Sequence, residues 1–154
     1  MSGGSIIVIA FLAFVAITIF KGVRIVPQGY KWIVQRLGKY HTTLNPGLNF
    51  VIPYVDEVAY KVTTKDIVLD IPSQEVITRD NAVLLMNAVA YINLTTPEKA
   101  VYGIENYSWA IQNLVQTSLR SIVGEMDLDD ALSSRDHIKA RLKSSISDDI
   151  SDWG

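Results

Sequence analysis

The feature that most constrains this chain is an uncharged run near its start. Ile6, Ile7, Val8, Ile9, Ala10, Phe11, Leu12, Ala13, Phe14, Val15, Ala16, Ile17, Thr18, Ile19 and Phe20 carry one polar group between them, the Thr18 hydroxyl. A helix apolar all round must be covered by protein or by lipid. At about 1.5 Å per residue these residues span roughly 22 Å, short of the ~30 Å hydrocarbon core of a bilayer. Adding Gly3 to Ser5 and Val23 to Val26 supplies the missing length, with Lys21 and Arg24 snorkelling to the interface. The competing reading, a secretory signal, needs a basic start and a small-x-small cleavage site. The leading Met-Ser-Gly-Gly-Ser has no basic side chain, and no Ala-x-Ala follows the run. The sequence therefore predicts an uncleaved membrane anchor over residues 6–26 behind a short tail, 1–5.

Charge sets the orientation. Lys21, Arg24, Lys31 and Arg36 all follow the run and none precedes it. Positive-inside logic then puts the body of the protein in the cytoplasm. Lys39, Lys61 and Lys65 extend the basic stretch, against only Asp56 and Glu57, while the remainder of the chain is acidic. A basic segment after an apolar one reads as a surface facing anionic lipid, with ordinary solvated charge as the plainer alternative. Nucleic acid is not an expected partner, because the cations are dilute and the rest of the chain opposes them. Tyr30 and Trp32 follow Pro27 at a plausible interfacial depth.

Beyond the anchor the apolar period becomes two. Lys31 to Gly38 alternates as a strand. Asn45-Pro46-Gly47 is a turn signal, since Pro presets φ and Gly accepts positive φ. The apolar tip after it, with Leu48, Phe50, Val51, Ile52 and Tyr54, is odd for a surface loop. It reads either as a buried strand or as a segment pressed into the bilayer beside the anchor. Residues 57–76 supply one or two further strands, with Pro72 confined to a turn or an edge. Residues 82–94 split by parity: Ala82, Leu84, Met86, Ala88, Ala90, Ile92 and Leu94 are wholly apolar and the odd positions are mixed. That is a strand with one face on a core. Between these strands lies Thr78-Arg79-Asp80-Asn81. Asp and Asn tolerate left-handed backbone, so Arg79, Asp80 and Asn81 read as a hairpin tip.

From Pro97 the period turns helical. Thr96 caps a short helix that opens on Pro97. A longer helix places Ile111, Leu114, Val115, Leu119, Ile122, Val123 and Met126 at spacings of three and four and stops at Gly124. A third, capped by Ser134, carries Ile138, Leu142, Ile146 and Ile150 in a narrow stripe. Trp153-Gly154 reads as the entrance to another element, and the chain as a fragment.

No chemistry stands out. The chain has no cysteine and two histidines, His41 and His137, neither with a second ligand at metal spacing. Phosphate-binding and nucleophile-elbow motifs are missing. Asp129-Asp130 and Asp148-Asp149 are helix neighbours that do not face one another. Ser144, Ser145 and Ser147 lie near Lys143, but with nothing to bury the lysine and lower its pKa. No catalytic residue, cofactor or metal site is expected.

Taken together, Ile25 to Val58, Asp70 to Tyr91, Asn106 to Leu142 and the closing Trp-Gly resemble, in order, a stomatin/prohibitin/flotillin (SPFH, band 7) domain. Among its members the chain looks most like bacterial slipins of the QmcA type and the paraslipins. The resemblance implies an α+β fold: a transmembrane helix, an antiparallel β-rich half at residues 27–95 that lies against the membrane, and a helix-rich half at 96–154. It also implies a non-enzymatic scaffold in the bacterial inner membrane, assembling with lipids into rings or cages that organise microdomains. That shifts the apolar tip toward membrane contact. Members continue past Trp-Gly into a strand and a coiled coil that this chain lacks, which bears on its assembly. Slipins are often linked to NfeD-type membrane proteins and relatives to the FtsH protease, so both are expected partner classes. A one-to-one regulatory subunit of a membrane protease or channel is the alternative.

Overall fold

Helix α1, Gly3–Gly22, opens the chain in a computed structural model that describes residues 2–154. It is the one helix among the described residues long and apolar enough to cross a membrane, with mean hydropathy 2.6 and none of that window buried. Its 20 residues span about 30 Å, the thickness of the hydrocarbon core. The extra length comes from Gly3–Ser5 and from Lys21 and Gly22. Val23–Val26 is not helix but strand β1, a correction to the reading of 23–26 as more anchor. Its β-branched residues suit a pleated surface better than a helix, and Gly47–Phe50 (β4) is there to pair with it.

The chain divides into two compact units, one ending at Lys65 and one running from Asp66 to Gly154. In the first unit, β2 (Tyr30–Arg36) sits between β3 (Lys39–Leu44) and β5 (Asp56–Thr63), all antiparallel. Its small core gathers Val26, Val34 and Leu44, with Trp32, Val51 and Val58 packed on them. Arg36 and Asp56 are ladder partners and also a two-pronged ion pair, at 2.7 and 3.1 Å. The bond fixes the β2–β5 register through side chains as well as backbone.

In the second unit, β6 (Ile67–Ile77) and β7 (Val83–Ile92) form a hairpin. Pro72 lies where the ladder register shifts between Ile71 and Gln74, as a residue without an N–H donor should. The parity reading of β7 holds: even positions are half-buried and odd ones exposed. Helices α2 (Pro97–Gly103), α3 (Tyr107–Gly124), α4 (Leu128–Ser133) and α5 (Arg135–Asp152) follow. Asn106 caps α3 by accepting from the Trp109 N–H at 3.1 Å. Thr96 and Ser134 occupy N-cap positions without a side-chain cap bond. Helix α4 was not foreseen. The core joins Leu69, Ile71 and Val76 of β6 to Ile111, Val115, Leu119, Ile122 and Val123 of α3 and to Ile138 and Ile146 of α5. Two amides tie helix to strand, Gln74 to the Gln116 carbonyl and Gln112 to the Asp70 carbonyl, both at 2.9 Å.

Candidate functional site

Two surfaces stand out, one in each unit. The first begins at the end of α1. The Val51 N–H donates to the Gly22 carbonyl at 2.7 Å. A Cβ on Gly22 would lie 2.6 Å from the Val51 oxygen, so only glycine allows this approach. The closure folds the segment after β4 back along the helix, where the Tyr54 ring stacks on Phe14 with centroids 6.3 Å apart. Phe14 lies eight residues before Gly22, about 12 Å down the helix axis. The tip is thus neither a buried strand nor a free loop: Leu48 and Phe50 stand on the exposed face of β4, and Ile52 and Tyr54 are exposed beyond it.

Strand register completes this surface. Val23 pairs with Phe50 and Ile25 with Leu48, so their side chains share one face of the β1–β4 ribbon. Ile25, Leu48 and Phe50 are 69, 62 and 70% exposed, while Val26 on the other face is buried. Ile25 was missed as an interface residue because it looked like anchor, and only its pairing with Leu48 reveals its direction. Lys21 and Arg24 are exposed near the helix end, Tyr30 is at the edge of exposure and Trp32 half-buried. Lys61 lies over the Trp32 ring, 4.6 Å from its centroid, and Lys65 lies 5.7 Å from that of Tyr30. At the other end of the β2–β5 ladder, the Arg36 guanidinium holds the Asp56 carboxyl at about 2, below its usual range, helped by the Ile52 N–H.

The second surface is the outer face of β6–β7. Val68, Ile77, Val83, Leu85, Val89 and Tyr91 are all more than half exposed. Register sets Val68 opposite Tyr91 and Ile77 opposite Val83, while Asp70 and Glu75 face Val89 and Leu85. The result is an apolar face whose charged members are carboxylates.

The polar stretch at the hairpin tip is a fastening. Asn81 has φ of +62°, the left-handed turn its side chain tolerates. Buried Thr78 donates to the Asp80 carboxylate and accepts from the Ala82 N–H. The Asp80 carboxylate, held below its usual range chiefly by Thr78, also accepts from the Leu128 N–H at the start of α4. The Arg79 N–H donates to the Met126 carbonyl, and its guanidinium grips Asp127 at 2.8 and 3.1 Å. The tip therefore closes on residues 126–128. His41 and His137 are both exposed, on β3 and α5. No cluster of three His, Cys, Asp or Glu able to hold a metal occurs among the described residues.

Known proteins are similar to this chain in sequence. The model of the SPFH domain / Band 7 family matches residues 24–154. Human mitochondrial stomatin-like protein 2 is 37% identical over 129 residues, covering 84% of this chain and 36% of that protein. An uncharacterised protein of Methanocaldococcus jannaschii is 42% identical over 136 residues, covering 88% of this chain and 68% of its own length. An uncharacterised protein of Mycobacterium tuberculosis is 36% identical over 155 residues, covering 98% of this chain and 41% of its own. The chain thus spans well under half the length of two of these three relatives. It belongs to the SPFH/Band 7 family.

Proposed function

We propose that this SPFH-family chain is a non-enzymatic, membrane-anchored scaffold whose two units have separate tasks. The first unit holds the membrane. Helix α1 spans it once, with the body on the cytoplasmic side of a bacterial inner membrane, and the β1–β4 ribbon and Tyr54 rest in the lipid of the same leaflet. The second unit holds copies of the chain together in a large homo-oligomer that gathers lipids into a microdomain. NfeD-type and FtsH-type membrane proteins are the partner classes such an assembly would regulate.

The observation that carries this reading is the pair of exposed apolar faces. A solitary soluble domain rarely leaves a contiguous apolar patch of more than a few hundred Å² uncovered. Ile25, Leu48 and Phe50 form such a face with cations nearby, and the six residues outside β6–β7 form another with carboxylates. Cations suit an anionic headgroup layer, whereas Asp70 and Glu75 would be repelled from it. The second face therefore suits protein.

Size measurement of the full-length protein in mild detergent tests the scaffold. A very large species is expected, and a small discrete complex would favour the regulatory-subunit reading instead. Cysteine labelling tests the topology cleanly, because the chain has no cysteine of its own. A thiol introduced near residue 140 should resist an impermeant reagent added to intact cells.

A further inference from the structure

The first unit contains a cleft between the end of the anchor, the first strand of the ribbon and the β2–β5 face. It is an open groove of about 1070 Å³, lined by Phe20 at the end of α1, Arg24 of β1, Trp32 and Lys61 of the β2–β5 face, and Tyr54. Its chemistry is amphiphilic. Phe20, 80% exposed, and Tyr54 form an apolar lip at the membrane end. Arg24 and Lys61 are exposed cations and neither takes part in an ion pair among the described residues. Two carboxylates also line the cleft, Asp56 and Glu57. Asp56 is already neutralised by Arg36 in the two-pronged bond described above. Two cations thus face the single free carboxylate of Glu57, and the balance favours an anion.

We propose that this cleft binds the headgroup of one anionic phospholipid. Arg24 and Lys61 take the phosphate, and the acyl chains leave past Phe20 into the bilayer. Lys61 is pre-positioned for the task by the Trp32 ring beneath it, which restrains the long side chain and favours its charged end. Arg24 offers a planar fork of donors matched to phosphate oxygens. The continuity of the cleft with α1 selects a lipid over a soluble phosphate, because the apolar lip would be wasted on the latter. This inference rests on α1 being a membrane anchor and adds a specific lipid contact to the diffuse attraction of a basic segment.

The test uses the full-length protein reconstituted in phosphatidylcholine bilayers with a minority of phosphatidylglycerol, then extracted in neutral detergent. Phosphatidylglycerol retained per chain is measured by mass spectrometry. The Arg24→Gln, Lys61→Gln pair should lower retention about thirtyfold, as expected for two near-surface cations. The Lys39→Gln, Lys65→Gln pair removes the same charge outside the cleft and should change it less than about twofold. The charge-keeping Arg24→Lys, Lys61→Arg pair should retain the lipid. An equal fall for both Gln pairs would reduce the effect to diffuse attraction and overturn the site. So would a full loss in the charge-keeping pair, which would mean that the cleft had merely been disrupted. Displacement of the lipid by millimolar inorganic phosphate would overturn the lipid assignment in favour of a soluble anion. Alkaline carbonate extraction separates this from the anchor reading: release of the wild-type protein would sink the anchor, whereas failure of the cleft alone leaves the protein in the membrane.

Discussion

Two antiparallel ribbons in this chain have much the same surface and different company. The β1–β4 ribbon shows Ile25, Leu48 and Phe50 and follows directly from an apolar helix. The β6–β7 ribbon shows six apolar residues of similar exposure, interrupted by Asp70 and Glu75. Exposed apolar area alone does not tell lipid from protein as the covering phase. The charges beside it do, because Lys and Arg are favoured at an anionic headgroup layer and Asp and Glu are not. The same contrast runs through the whole chain: cations outnumber carboxylates up to Lys65, and carboxylates outnumber cations after it.

The most severe way to separate the two regions is to damage one core. Ile71 is fully buried in the second unit, and Ile71→Ala should cost about 3 kcal/mol. Hydrogen exchange should show the loss of protection in residues 66–154 and leave β2, β3 and β5 unchanged. Protection lost equally in both would mean that the units do not fold separately. A gentler intervention replaces Leu85 and Tyr91 with Glu. Both are surface positions, so stability should move by no more than about 0.5 kcal/mol each, while the large species in mild detergent should disappear. An unchanged size would take assembly away from that face.

Hairpin tips sharpen the contrast further. Leu37, at φ +53°, and Asn81, at φ +62°, both adopt left-handed backbone. Asn81→Val should cost about 1–2 kcal/mol of strain and loosen the grip on residues 126–128. Leu37→Asn should stabilise the first unit by up to about 1 kcal/mol for the opposite reason. Leu37 is exposed and lines the cleft. Acid acts on the first unit through Asp56. The Asp56 carboxyl is held at about 2 in the folded chain, below its unfolded value near 3.9. Its contribution is complete above about pH 5 and is lost as pH falls toward 2. Acid titration of the first unit should show that loss, and Asp56→Asn should abolish it.

Local pattern made much of this architecture legible. The parity of residues 82–94 foretold the core face of β7, and the spacing of Ile138, Leu142, Ile146 and Ile150 foretold the inner stripe of α5. The tip at Asp80-Asn81 was readable from its residues as a turn. What it fastens was not, because Arg79 meets Asp127 across 48 positions, and a charged pair at that distance leaves no local trace. Val23–Val26 went astray for a related reason. A short β-branched run after an apolar helix extends it as easily as it begins a strand, and pairing with Gly47–Phe50 decides the matter. Helix α4 has six residues, too few for a helical period to show.

The central claim is that the two ribbons face different phases, and depth measurement reaches it directly. Spin labels at single cysteines replacing Phe50 and Leu85 would be compared in bilayers by accessibility to oxygen and to a water-soluble nickel chelate. The label at 50 should collide with oxygen and be shielded from nickel, while the label at 85 should show no lipid-like preference for oxygen. A label at 50 as open to nickel as a water-exposed site, or a label at 85 immersed in lipid, would contradict it.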